Sequence, residues 1–206
     1  MQVLQRFSLV ALGLLILGGI YYVRAGSSRA APPTSGTTII AFGDSLVSGK
    51  GASAGRDFVA VLSRRLRTPI INAGRSGDTS GEALDRLDRD VLSRDPRVVI
   101  VVLGGNDFLQ KVPRDTTFAN LAAIVDRIRR RGAAVVVVGI NPGLWMDPYA
   151  SEFEDLARRL DAGLVPDVLG DILGNGALMS DAIHPNDRGY ELMADRIEPV
   201  LRGLVE

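Results

Sequence analysis

Six consecutive apolar residues, Val98-Val99-Ile100-Val101-Val102-Leu103, leave little choice of architecture. A strand with one wet face alternates apolar and polar residues. A strand apolar at every position is covered on both faces, as in a parallel sheet flanked by helices. The stretch from Ala134 to Ile140 has the same character. Further strands are expected at Thr38–Phe42, at Ile70-Ile71-Asn72 and, more briefly, near Leu164-Val165. Apolar residues at helical spacing fall between them. They predict helices at about Asp57–Arg67, Ser80–Ser93, Thr117–Arg131 (capped by Thr116), Tyr149–Leu160 and Asp187–Leu201. Strict alternation of this kind predicts an α/β protein, a three-layer α/β/α sandwich with right-handed crossovers.

In open α/β sheets, ligands bind beyond the carboxyl ends of the strands. The first strand runs into Gly43-Asp44-Ser45-Leu46, which presents a serine at that rim. A serine hydroxyl is a nucleophile only beside a base. The chain has one histidine, His184, in Asp181-Ala182-Ile183-His184-Pro185. Two more turns follow apolar runs: Asn72-Ala73-Gly74-Arg75-Ser76-Gly77-Asp78-Thr79 and Gly104-Gly105-Asn106-Asp107. Read as chemistry, Ser45 attacks an acyl carbonyl and His184 takes its proton. Asp181 holds the other ring nitrogen, and Pro185 stiffens the turn. The oxyanion donors are the side-chain amide of Asn106 and the backbone N–H groups of Gly74 and Ser45. Asp44 and Asp107 read as turn and supporting residues, Asp78 and Thr79 as braces of the second block. Asp187 falls in the first turn of the last helix.

Taken together, Gly-Asp-Ser-Leu, Ser-Gly-Asp-Thr-Ser, Leu-Gly-Gly-Asn-Asp and Asp-Ala-Ile-His-Pro-Asn resemble the blocks of the SGNH, or GDSL, hydrolase superfamily in order and spacing. They look most like its bacterial thioesterase/lysophospholipase/arylesterase branch. The resemblance spans Ile39 to about Pro185. It implies a flavodoxin-like parallel sheet, ester hydrolysis through an acyl-enzyme without a cofactor, and the same roles for Ser45, Gly74, Asn106, Asp181 and His184. The same residues could serve a carbohydrate or peptidoglycan O-acetylesterase, or persist in a non-catalytic binding module. The segment Asn141–Pro148 leaves the fourth strand at the same rim. Its Leu144, Trp145 and Met146, with Phe108 after the third block, read as contacts to an ester or lipid substrate.

Rival chemistries find little support. No Gly-x-Ser-x-Gly elbow or Gly-x-Gly-x-x-Gly follows a strand. Gly49-Lys50 is no P-loop, because Asp44 stands where the first glycine belongs and Gly51 replaces the Ser/Thr. With no cysteine and one histidine, disulfides and thiolate- or imidazole-rich metal sites are excluded. Net charge is zero, and no basic run is interleaved with aromatics, so nucleic acid is not an expected partner. At 206 residues the chain makes one domain with appendages. Phe7 to Val23 is almost unbroken apolar sequence led by Arg6. Residues 1–25 therefore read as a signal peptide or a membrane anchor, 26–36 as a flexible linker and 37–206 as the hydrolase domain. Export to a periplasmic or extracellular face follows, with membrane contact through the amino-terminal segment if it stays uncleaved.

Overall fold

The structure is a computed structural model that describes residues 30–141 and 148–206. Its strands are β1 (Thr38–Gly43), β2 (Ile70–Gly74), β3 (Pro96–Val102), β4 (Ala134–Val138) and β5 (Gly163–Val165). They form one sheet in the order β2-β1-β3-β4-β5, and every adjacent pair is parallel. This is the flavodoxin-like order. The chain leaves β1 toward β2 on one side, then crosses to β3 on the other, so β1 and β3 flank the switch point where such sheets bind ligands. In register, Gly43 lies opposite Gly74 on one side and Val102 on the other.

The helices are α1 (Ser45–Ser48), α2 (Phe58–Leu66), α3 (Ser80–Asp90), α4 (Gly105–Leu109), α5 (Arg114–Arg130), α6 (Pro148–Arg159) and α7 (Asp187–Val205). Alternate strand residues feed two separate cores, as the period of two requires. Ile39, Ala41, Ile100 and Val136 pack with α2 and α7, through Phe58, Leu62, Tyr190 and Ile197. Ile40, Phe42, Val101 and Val137 pack with α3, α5 and α6, through Leu87, Leu121, Ile124 and Phe153. A strand buried on both faces is what the unbroken apolar runs demand.

Three local differences from the sequence expectation have clear causes. Ser45 and Asn106 do not sit in open turns but in the first turns of the short helices α1 and α4, which are too brief to show a helical period. Helix α5 starts at Arg114, with Pro113 rather than Thr116 at its cap, because its first turn is polar and adds nothing to the apolar stripe. The expected second helix stops at Asp90 and is followed by a 3₁₀ turn over Leu92–Arg94. Residues 30–36, read from composition as linker, run as a strap along the amino ends of the strands. Ala31 N–H donates to Asp161 O at 3.0 Å, Thr34 N–H to Gly132 O at 2.8 Å, and Thr37 N–H to Asp95 O at 2.9 Å. Composition carries no sign of such backbone bonds. The segment 1–25 lies outside the described residues. Among those described, no helix is long and apolar enough to cross a membrane.

Candidate active site

Strand β1 ends at Gly43, and Asp44 caps α1 by accepting Leu46 N–H at 2.9 Å. The cap turns the chain sharply, so Ser45 becomes the first residue of the helix beyond the strand end. His184 arrives on the loop that precedes α7. An isolated antiparallel bridge between Met179 and Pro185 closes that loop, and Ser180 N–H donates to His184 O at 2.9 Å. The Asn186 side chain ties it down by donating to Ala177 O at 3.0 Å and by capping α7 through Arg188 N–H and Gly189 N–H. Gly51 lets the two segments meet. Its φ is +95°, and a Cβ there would lie 2.2 Å from Ser180 Oγ and 2.6 Å from Pro185 O. Only glycine tolerates both the angle and the approach.

These supports bring Ser45, His184 and Asp181 together. His184 Nε2 lies 3.1 Å from Ser45 Oγ, and His184 Nδ1 lies 2.7 Å from Asp181 Oδ2. The Asp181 carboxyl is held down at about 2, first by the Ile183 N–H it accepts and then by the His184 side chain. It is thus an ionised acceptor at any ordinary pH, which puts the neutral imidazole's proton on Nδ1 and leaves Nε2 as an acceptor facing the hydroxyl. His184 is buried, whereas the Asp181 side chain is half exposed.

Asn106, the second residue of α4, follows the end of β3 and joins the same rim. Its Nδ2 donates to Asp78 O at 3.0 Å and to Asp44 Oδ2 at 3.2 Å. Asp44 is almost wholly buried, and burial pushes its carboxyl up to about 7. The Leu46 N–H works against that rise, and the nearby Asp107 and Asp78 add to it. Asp107, also buried, accepts Ser80 N–H at 2.8 Å and Ser80 Oγ–H at 2.5 Å, so it fastens α4 to the start of α3. Asp78 and Thr79 do brace the second block: Thr79 and Glu82 form a reciprocal cap on α3, and Asp78 meets a buried Arg86.

A cleft of about 320 Å³ opens beside the serine, lined by Ser45, Asn106 and His184 and by an apolar wall. Phe108 belongs to that wall, as its place after the third block suggested. Leu46 and Ile183, which stand inside the serine and histidine blocks, belong to it as well, and so do Ile140, Tyr149, Leu169 and Leu173, which lie outside every block. Of those four, Ile140 is marked as the last apolar residue of the β4 run. Edge-on contacts of Tyr149 with Phe108 at 5.9 Å and with Phe118 at 5.3 Å stiffen one side. Leu144, Trp145 and Met146 lie outside the described residues. Gly74 does not line the cleft. Its N–H donates to Asn72 Oδ1 at 2.9 Å, and a Cβ there would lie 2.2 Å from Ser48 N, so the glycine lets β2 press against α1. Among the described residues, no three His, Cys, Asp or Glu side chains gather as a metal site would require.

The fold and the comparisons with known proteins together define the class, a serine ester hydrolase. The chain belongs to the GDSL-like lipase/acylhydrolase family, whose model matches residues 41–192. It is 30% identical over 179 residues to the esterase TesA of Pseudomonas aeruginosa, covering 82% of this chain and 89% of that one. It is 31% identical over 176 residues to thioesterase 1/protease 1/lysophospholipase L1 of Escherichia coli, covering 82% and 85%. Among solved structures, a crystal structure of TesA superposes with a TM-score of 0.77 at 29% identity, covering 82% of this chain and all of the other.

Proposed function

We propose that the chain hydrolyses acyl esters through an acyl-enzyme on Ser45, with His184 as general base and acid and Asp181 as its orienting partner. One observation carries the reading. The hydroxyl, the imidazole and an ionised carboxylate stand in a single line of hydrogen bonds, 3.1 Å and 2.7 Å long, beside a cleft. His184 Nε2 takes the serine proton as Oγ attacks, then returns it to the leaving oxygen. A water molecule repeats the sequence to release the acid. The developing oxyanion is met by Ser45 N–H, which has no acceptor within its own helix, and by Asn106 Nδ2. Asn106 gives up its longer bond, the one to Asp44, to do so. Gly74 N–H is the third donor implied by its sequence block, and it must release Asn72 Oδ1 to act.

The apolar wall favours an acyl chain over a sugar, whose hydroxyls need polar partners. A fluorophosphonate probe, which reports an activated serine, is expected to label the parent protein and neither Ser45→Ala nor His184→Ala. Ester turnover should vanish in both variants while their melting curves stay cooperative. Asn106→Ala should lower kcat by about 10²–10³-fold, the loss typical of one oxyanion donor. Turnover by Ser45→Ala near the parent rate would overturn the assignment. We further read residues 1–25 as an export signal or anchor, which sets the domain, essentially 37–206, outside the cytoplasm. Protease added to spheroplasts should then reach it, and digestion that requires lysis would place it inside.

A further inference from the structure

Arg86 sits on the inward face of α3 with Ala83 and Leu87 and is only 4% exposed. A buried guanidinium persists only where its donors are met. Here Nε donates to Asp78 Oδ2 at 2.5 Å, and Nη1 to Ala73 O at 2.9 Å and Asp90 Oδ2 at 3.0 Å. Nη2 donates to Gly43 O at 2.8 Å. The group also lies 4.4 Å from the centre of the Phe42 ring. An ion pair with Asp78 and Asp90 would engage only Nε and Nη1. Nη2, and part of Nη1, go instead to carbonyls at the carboxyl ends of β1 and β2.

Those carbonyls are informative. Gly43 O closes β1 two residues before Ser45, and it also accepts Arg75 N–H from the second block at 2.9 Å. Ala73 O belongs to the peptide unit whose N–H is that of Gly74. A peptide is planar, so fixing the direction of its C=O fixes the direction of its N–H. Asp78 closes the second block, and its own carbonyl accepts Asn106 Nδ2 at 3.0 Å. One guanidinium therefore touches each segment that carries a proposed oxyanion donor, directly for Ser45 and Gly74 and through Asp78 for Asn106.

We infer that Arg86 is a positioning residue for the oxyanion site, setting the Ser45 turn, the Gly74 block and the Asn106 amide at fixed mutual distances. The inference rests on the roles proposed above for Ser45, Gly74 and Asn106. An apolar side chain of similar length still packs against Phe42, but it removes the guanidinium's bonds to the two carbonyls and to Asp78, and the three donors lose their common reference.

The test is steady-state hydrolysis of p-nitrophenyl butyrate by the full chain and by Arg86→Met, Asp78→Asn and the double variant, each with a melting curve. Arg86→Met should lose about 10²-fold in kcat, the scale of a small misplacement of reacting groups. KM should move by less than about threefold, because the cleft wall is untouched. Asp78→Asn should lose about tenfold by loosening only the Asn106 arm. The double variant should fall no further than Arg86→Met alone, since Asp78 acts through its contact with Arg86. A folded Arg86→Met with parent kcat overturns the inference, and so does a loss confined to KM. If Arg86→Met fails to fold, Asp78→Asn decides, because it keeps the bonds to Gly43 and Ala73; parent kcat in that variant is then the refuting result. Failure of the underlying mechanism looks different: Ser45→Ala would remain active whatever the Arg86 variants do.

Discussion

Asp44 and Asp181 both serve the histidine–serine line, yet they answer pH in opposite directions. Asp44 titrates near 3.8 when unfolded and at about 7 when folded. Between those values the native state holds the extra proton, so the stability linked to this group is complete below about 4 and declines as pH rises through 7. The span is worth up to about 4 kcal/mol for one fully buried group. Asp181 is the reverse case. Its folded value of about 2 lies below the ordinary 3.8, so its contribution is present above 3.8 and disappears as pH falls toward 2. Asp44→Asn removes the first dependence and keeps the second. Denaturant titrations at pH 4.5 and 7.5 should show the parent losing more stability than the variant over that interval. Equal pH slopes would mean that the Asp44 carboxyl is ionised throughout.

At the scale of elements, the site depends on how closely two loops can approach. Gly51→Ala places a methyl group against Pro185 O and Ser180 at a backbone angle that side chains avoid. The expected cost is about 1–3 kcal/mol of stability, with a further loss of kcat as the His184 loop is pushed off the serine. Melting curves and kcat on a short ester check both, and an unaltered kcat would show that the loop yields elsewhere. The strands and the motif blocks were legible because each leaves a local mark: β3 an unbroken apolar run, the serine and histidine blocks a distinctive order of residues. The short helices α1 and α4 leave no such mark, since four or five residues cannot display a period. Arg86 was hidden for a different reason. An arginine in a charged helix reads as solvated, and only its place three residues after Ala83 and next to Leu87 puts it on the inward face. The apolar wall drew Leu169, Leu173 and Ile183 from separate stretches of chain, a gathering that exists only once the sheet has formed.

At the scale of the whole molecule, a parallel sheet delivers every strand's carboxyl end to one pole, which is why residues as distant as Ser45, Asn106 and His184 share a cleft. The size and lining of that cleft imply a preference among substrates. Each methylene fully buried contributes about 0.8 kcal/mol, or about fourfold in kcat/KM. Specificity should climb from acetyl toward medium-length p-nitrophenyl esters and then level off when the cavity is full. Leu173→Asn should flatten the climb and leave acetyl esters nearly unaffected. A preference for acetyl throughout the series would favour deacetylation of a polar substrate instead.

The strap at the other pole bears on where the cleft can work. Residues 30–36 are fastened to the body, so they add nothing to the leash between the body and the apolar stretch Phe7–Val23. Only residues 24–29 remain for that purpose, and six residues reach at most about 20 Å. Were Phe7–Val23 to stay in a bilayer, the domain would ride close above it, moored by its base. The mouth of the cleft lies at the opposite pole of the sheet, a strand length or about 20 Å from the point of mooring. An ester that diffuses in from the solution side would then meet the cleft without passing the tether.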